Sequence, residues 1–142
     1  MALQAGGVSD DVARRLRERG IRPSVQRVAI ARVALASHRH PSADEVWEQV
    51  KERLPMVSRA TVYNTLNRLV EEGLLRSFAS AQGHTVFDPN TAPHHHLVDD
   101  ATGTIYDLPW EALAVDGVDA LEGFEVRDFQ VVLHGRPTRR SR

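Results

Sequence analysis

The sequence predicts an α+β chain: an N-terminal winged helix-turn-helix domain followed by a small α/β dimerisation domain. Three observations carry this. Up to Gly73 the apolar residues recur at helical spacing between cap and stop residues, whereas beyond it they fall in short strand-like runs. The charge divides just after the hairpin that follows, with 13 Arg/Lys against 10 Asp/Glu in residues 1–88 and one Arg against nine acids in residues 89–135. Lastly, a helix with an outward face of hydrogen-bonding side chains is followed at once by a hairpin, the order of helix and wing.

With 142 residues, 42% hydrophobic and 26% charged, the chain has a normal folded balance for one core or two small domains sharing a hinge. It has no apolar run of about 18 residues to span a bilayer, and Met1 to Gly7 lack the basic and apolar regions of a signal peptide. A cytoplasmic protein without a membrane partner is expected. Zero cysteines exclude disulfides and thiolate zinc sites, so any transition metal must be held by nitrogen and oxygen.

In the first half, Ser9 is placed to cap a helix with Asp10 and Asp11 in its first turn, Val12 and Leu16 on one face and Gly20 as its stop, after a disordered 1–8. Ser24 caps a second helix to about Ala36, with Val25, Val28, Ala29, Val33 and Ala34 as its apolar face. Ser42 and Glu45 form a capping box that opens a third, with Val46, Trp47, Val50 and Leu54 at helical spacing before Pro55; Trp47 reads as core.

The fourth helix carries the most information. Ser58 caps residues 59–72 and Gly73 stops them; Val62, Leu66, Leu69 and Val70 share one side. Ala60, Thr61, Asn64, Asn67 and Arg68 lie opposite, with Arg59 and Tyr63 at the border. A recognition helix reads base edges from its N-terminal end, so Arg59 and Tyr63 are expected at the major groove, with Ala60, Thr61 and Asn64 beside them. Arg22, Arg27 and Arg76 are candidates for DNA phosphates. Runs 74–78 and 84–88, flanking the turn-prone 79–83, predict the wing. Periodicity alone also fits a helical protein-binding module, which salt-dependent DNA binding would distinguish.

In the second half, residues 95–99 and 104–108 flank a turn at 100–103, residues 110–121 suggest a helix interrupted by Gly117, and 124–134 reads as one long strand. So small a sheet calls for a partner, which suits a homodimer on a palindromic double-stranded DNA site. The domains are therefore expected at 1–87 and 88–134, with a disordered basic tail at 135–142.

His94, His95 and His96 lie just past the hinge. In extended backbone residues i and i+2 face the same side, so His94 and His96 form a candidate chelate; a solvated loop is the alternative. An enzymatic metal centre, a hydrolase or oxygenase, is a competing class.

Arg22-Pro23 with Gln26-Arg27, His40 to Val46, Ser58 to Leu66, and His94 to Leu97 resemble the ferric uptake regulator (Fur) family in order and spacing, from about Arg14 to Leu133. The resemblance implies a dimeric, metal-dependent transcriptional repressor and not an enzyme. It implies a regulatory site at His40, Asp88, His94, His96 and Asp107 for Fe²⁺, Mn²⁺ or Zn²⁺; at the family's additional metal site this chain departs, with Asp128 where a histidine is common, and His84, His95 and Glu111 are the candidate ligands that remain. Where many members carry a first Cys-x-x-Cys pair this chain has Asp99 and Thr102, and no second pair follows, so no cysteine-ligated structural zinc is expected. Asp107 resembles the peroxide-sensing (PerR-like) branch; the cysteine-free histidine run is also similar to the haem-responsive iron response regulators (Irr-like), which makes haem a competing cofactor.

Overall fold

The computed structural model describes residues 11–80 and 82–138, which form two compact units that part after Thr91. The expected cap at Ser9 and Asp10, the segment 1–8 and the arginines of 139–142 lie outside the described residues.

The first unit contains α1 (helical residues 11–18), α2 (Val25–Ala36), α3 (Ala43–Lys51), α4 (Arg59–Glu71) and an antiparallel hairpin of β1 (Arg76–Ala79) and β2 (Thr85–Asp88). Helix starts are set by serine hydroxyls that satisfy first-turn amides otherwise left without partners. Ser24 accepts from Arg27 N, Ser42 from Glu45 N and Ser58 from Thr61 N. At Ser42 the capping box is complete, because the Glu45 carboxylate reaches back to the Ser42 amide. Gly73 ends α4 at φ 77°, a conformation that favours glycine.

The core joins Val12 and Leu16 of α1, Ile30 and Ala34 of α2, Val46 and Val50 of α3, and Val62, Leu66 and Leu69 of α4. The expected face of α2 is corrected. Val25 is 74% exposed and Ile30, Ala31 and Ala34 are buried, while Val28, Ala29 and Val33 only flank the core. Apolar residues surround this helix almost completely, so spacing alone left its inward side ambiguous. Leu74 and Leu75, read as strand, are buried in the core, and the strand proper begins at Arg76.

In the second unit β3 (His94–Asp99) is central, with β4 (Ile105–Pro109) antiparallel on one side and β5 (Val132–Gly135) parallel on the other. Two expectations fail here. The long strand 124–134 is reduced to β5, because a parallel partner can pair only along β3: the ladder runs from His96↔Val132 to Asp99↔Gly135. The helix expected over 110–121 is two 3₁₀ turns, Trp110–Ala112 and Val118–Ala120, separated where Gly117 takes φ 85°. Nor is Gly135 part of a disordered tail: it ends β5, and its carbonyl accepts from Asp100 N at 2.9 Å.

The β3–β4 turn closes through hydrogen bonds. Asp99 Oδ1 accepts from Ala101 N (2.8 Å), and the Thr102 hydroxyl donates to Thr104 Oγ1 (2.9 Å). Among the described residues no helix is long and apolar enough to cross a membrane.

Candidate metal centre and nucleic-acid interface

Each unit brings together side chains of the types that ligate metals. In the first, Ser42 bridges Val86 in antiparallel fashion and Phe87 N donates to Pro41 O at 2.9 Å. Extending that register by two residues sets His40 opposite Asp88. His40 Nε2 lies 3.2 Å from Asp88 Oδ2, and both side chains are buried. The second carboxylate oxygen is fixed by the Asn90 amide at 2.9 Å, and the His40 ring meets Phe78 edge-on at 5.8 Å. His40 has φ 56°, the left-handed region, immediately before a proline, which disfavours helical backbone in the preceding residue. Such outliers persist where surrounding structure over-determines them, commonly at functional sites.

In the second unit the strand period does the work. His94 and His96 lie on one face of β3, and Asp107 of β4 is the cross-strand partner of His96. The two imidazoles stand edge to face with centroids 4.6 Å apart. Asp107 Oδ1 lies 3.5 Å from His96 Nε2 and 3.7 Å from His94 Nε2. The Ala92 carbonyl can only accept, so at 2.6 Å His94 Nδ1 donates to it, and Nε2, on the Asp107 side, is the nitrogen that can face a metal. That orientation suits a metal ligand. Three donors on one face, two imidazole nitrogens and a carboxylate, fit a divalent first-row ion.

On α4 the inward residues are Val62, Thr65, Leu66 and Leu69, and the outer face exposes Ala60, Tyr63, Asn64 and Asn67. Thr61 is half-buried, its hydroxyl 2.9 Å from that of the Ser58 cap. Arg22 is exposed, Arg76 is half-buried, and Arg27 donates to the Arg22 carbonyl at 3.2 Å.

The model of the ferric uptake regulator family matches residues 18–134. The chain belongs to this family. It is accordingly a metal-dependent transcriptional repressor, of the class governing peroxide stress or metal homeostasis, and not an enzyme. A peroxide-responsive repressor, PerR, of Staphylococcus epidermidis is 35% identical over 119 residues, 84% of this chain and 77% of that protein. Among solved structures, a peroxide stress regulator of Campylobacter jejuni superposes with a TM-score of 0.63 at 27% identity, covering 92% of this chain and 96% of the other. A ferric uptake regulator of Pseudomonas aeruginosa, solved with manganese, gives 0.63 at 27% identity over 87% and 95%.

In this Fur-family chain His95 behaves unlike its neighbours. The sequence leaves it either exposed or a second-site ligand; it is buried, its ring stacks on Trp110 at 4.6 Å and 15°, and its Nδ1 accepts from Val131 N at 2.9 Å. Accepting that bond puts the ring proton on Nε2, so His95 is committed to packing strand to loop. His84 and Glu111, its expected companions, are exposed on the β1–β2 turn and a 3₁₀ turn respectively. Trp47, read as core, is half-buried: Lys51 Nζ lies 4.1 Å and the Arg59 guanidinium carbon 4.5 Å from its ring centroid. The i,i+4 spacing of Trp47 and Lys51 was visible in the sequence; the tertiary approach of Arg59 was not.

Proposed function

We propose that His40 and Asp88 of the first unit, with His94, His96 and Asp107 of the second, hold one divalent ion, and that binding it selects the form of a homodimer that grips a palindromic operator. The observation that carries this reading is the convergence of His94 Nε2 and His96 Nε2 on Asp107 Oδ1, with His94 Nδ1 held by the Ala92 carbonyl. Ligands drawn from both units would let the ion bias their arrangement. Swinging such an equilibrium from almost all open to almost all closed needs about 10⁴-fold tighter binding to the closed form. Ala60, Thr61, Tyr63 and Asn64 would face base edges, and Arg22, Arg27 and Arg76 phosphates. Exposed apolar side chains of the second unit support a dimer, Phe124 being 80% exposed.

For the signal we favour peroxide sensed through Fe²⁺, supported by Asp107 and by the identity to the staphylococcal repressor. When bound, ferrous iron would activate peroxide for attack on a ligand imidazole, His40 or His94: one peroxide oxygen would enter a ring C–H bond and the other would leave as water, the imidazole being the net two-electron reductant. Mass spectrometry should then find one added oxygen on either histidine after peroxide treatment with iron, and none without iron.

The deciding experiment is a mobility-shift assay on the chain's own promoter with metal, with EDTA, and with His96→Ala. Metal-dependent binding lost in that variant supports the reading; equal affinity in all three overturns it.

A further inference from the structure

We infer that Arg59 is a contact to the DNA backbone and not to a base edge, and that Trp47 is the residue that holds it there; this rests on reading α4 as the recognition helix. Arg59 is the first residue of α4, yet its side chain reaches back to α3. Its guanidinium carbon lies over the Trp47 ring at 4.5 Å, and its Nε is 4.0 Å from Asp44 Oδ1. Trp47 and Asp44 both belong to α3. In a helix-turn-helix the first helix of the pair crosses the phosphate backbone while the second enters the groove, so a cation laid on α3 is aimed at phosphate. Tyr63 and Asn64, exposed on the outer face of α4, are left to the bases.

The platform is fixed. The Trp47 indole Nε1 donates to Val57 O at 3.1 Å, which ties the ring to the loop entering α4. A guanidinium over an aromatic face gains from the ring quadrupole while its N–H groups, lying in its own plane, remain able to donate to a phosphate oxygen. Lys51 Nζ lies 4.1 Å from a Trp47 ring centroid, so the indole carries a second cation. The nearby Asp44 carboxylate is a weak competitor, since it and Arg59 are both well exposed and their separation is at the limit of an ion pair. Trp47 is thus a positioning residue acting through Arg59, for a phosphodiester ligand.

The test uses the full-length, metal-loaded protein on its operator and on operators with single base-pair changes, across a range of salt. Arg59→Ala should weaken binding by a similar factor on every site and make the log–log salt dependence shallower by about 0.9, the signature of one lost phosphate contact. With Trp110 first replaced by Phe, which keeps an aromatic ring against His95 and leaves Trp47 the sole tryptophan of the sequence, replacing tryptophan biosynthetically by mono-, di- and trifluorotryptophan, which drains the ring's π-face with little change of shape, should lower operator affinity in steps totalling about two- to five-fold. In the Arg59→Ala background those steps should shrink to the part that Lys51 carries, and in Arg59→Ala, Lys51→Ala they should vanish. A loss confined to one base-pair position with an unchanged salt slope makes Arg59 a base reader and overturns the inference. So does a fluorination effect undiminished without Arg59. If the wild-type chain binds no operator with or without metal, the reading of α4 fails, and this inference with it.

Discussion

His40 Nε2 faces Asp88 Oδ2 at 3.2 Å, and the imidazole is delivered there by backbone at φ 56°. For an L-residue the left-handed region costs roughly 1–2 kcal/mol, and a following proline disfavours it further. Comparing His40→Gly with His40→Ala isolates the backbone, since both remove the imidazole. In metal-free protein the glycine variant should be the more stable by about 1 kcal/mol in urea unfolding, the reverse of the usual order for a position with negative φ. Equal stability, or alanine the better, would mean that the segment relaxes and that the strain is not built in.

His95 should be a stability residue. Its ring is stacked on Trp110, and removing it leaves the Val131 amide without its acceptor. His95→Ala should cost about 2–4 kcal/mol from the cavity and the lost hydrogen bond combined. Denaturant unfolding measures this directly. A loss below about 0.5 kcal/mol, the range of an ordinary surface substitution, would return His95 to the candidate ligands.

The head of α4 is held by one hydroxyl. Ser58 Oγ accepts from Thr61 N at 3.0 Å and meets Thr61 Oγ1 at 2.9 Å. Ser58→Ala should cost about 1 kcal/mol and fray the turn bearing Arg59 and Ala60, so operator affinity should fall as well. Ser58→Asp, a cap of equal quality, should restore stability. Unchanged amide exchange at Thr61 in the alanine variant would show the cap to be dispensable.

What the sequence made legible follows from the range of the forces involved. Caps, capping box and glycine stops are contacts within four residues, and Ser24, Ser42, Ser58 and Gly73 act as read. The strand period put His94 and His96 on one face, and β4 paired Asp107 with His96. The face of α2 was misread because an almost uniformly apolar helix carries no angular information. Residues 124–130 have the composition of a strand, but a strand exists only where a partner ladder does, and β3 begins at His94. The strand period turns His95 away from its two neighbours, but its packing role depends on Trp110 and Val131, which come to it from outside the run. Arg59 likewise reaches Trp47 across a turn that no periodicity describes.

Asp107 offers the cleanest probe of the metal cluster, because its side chain is 42% exposed whereas His94 and His96 are buried. Removing either imidazole risks the sheet; Asp107→Asn keeps size and shape and removes the charge. Its unfolding free energy should change by less than about 0.5 kcal/mol, as for other surface substitutions. Its affinity for a divalent ion should fall by at least about tenfold, a ligand being worth no less than the residues that merely support one. Competition against a chromophoric chelator reads the affinity, and mobility shifts at graded metal concentration should show operator binding displaced to higher metal by the same factor. If affinity and operator response are both unchanged while stability holds, Asp107 is no ligand, and its approach to the two histidine Nε2 atoms is a feature of strand pairing alone.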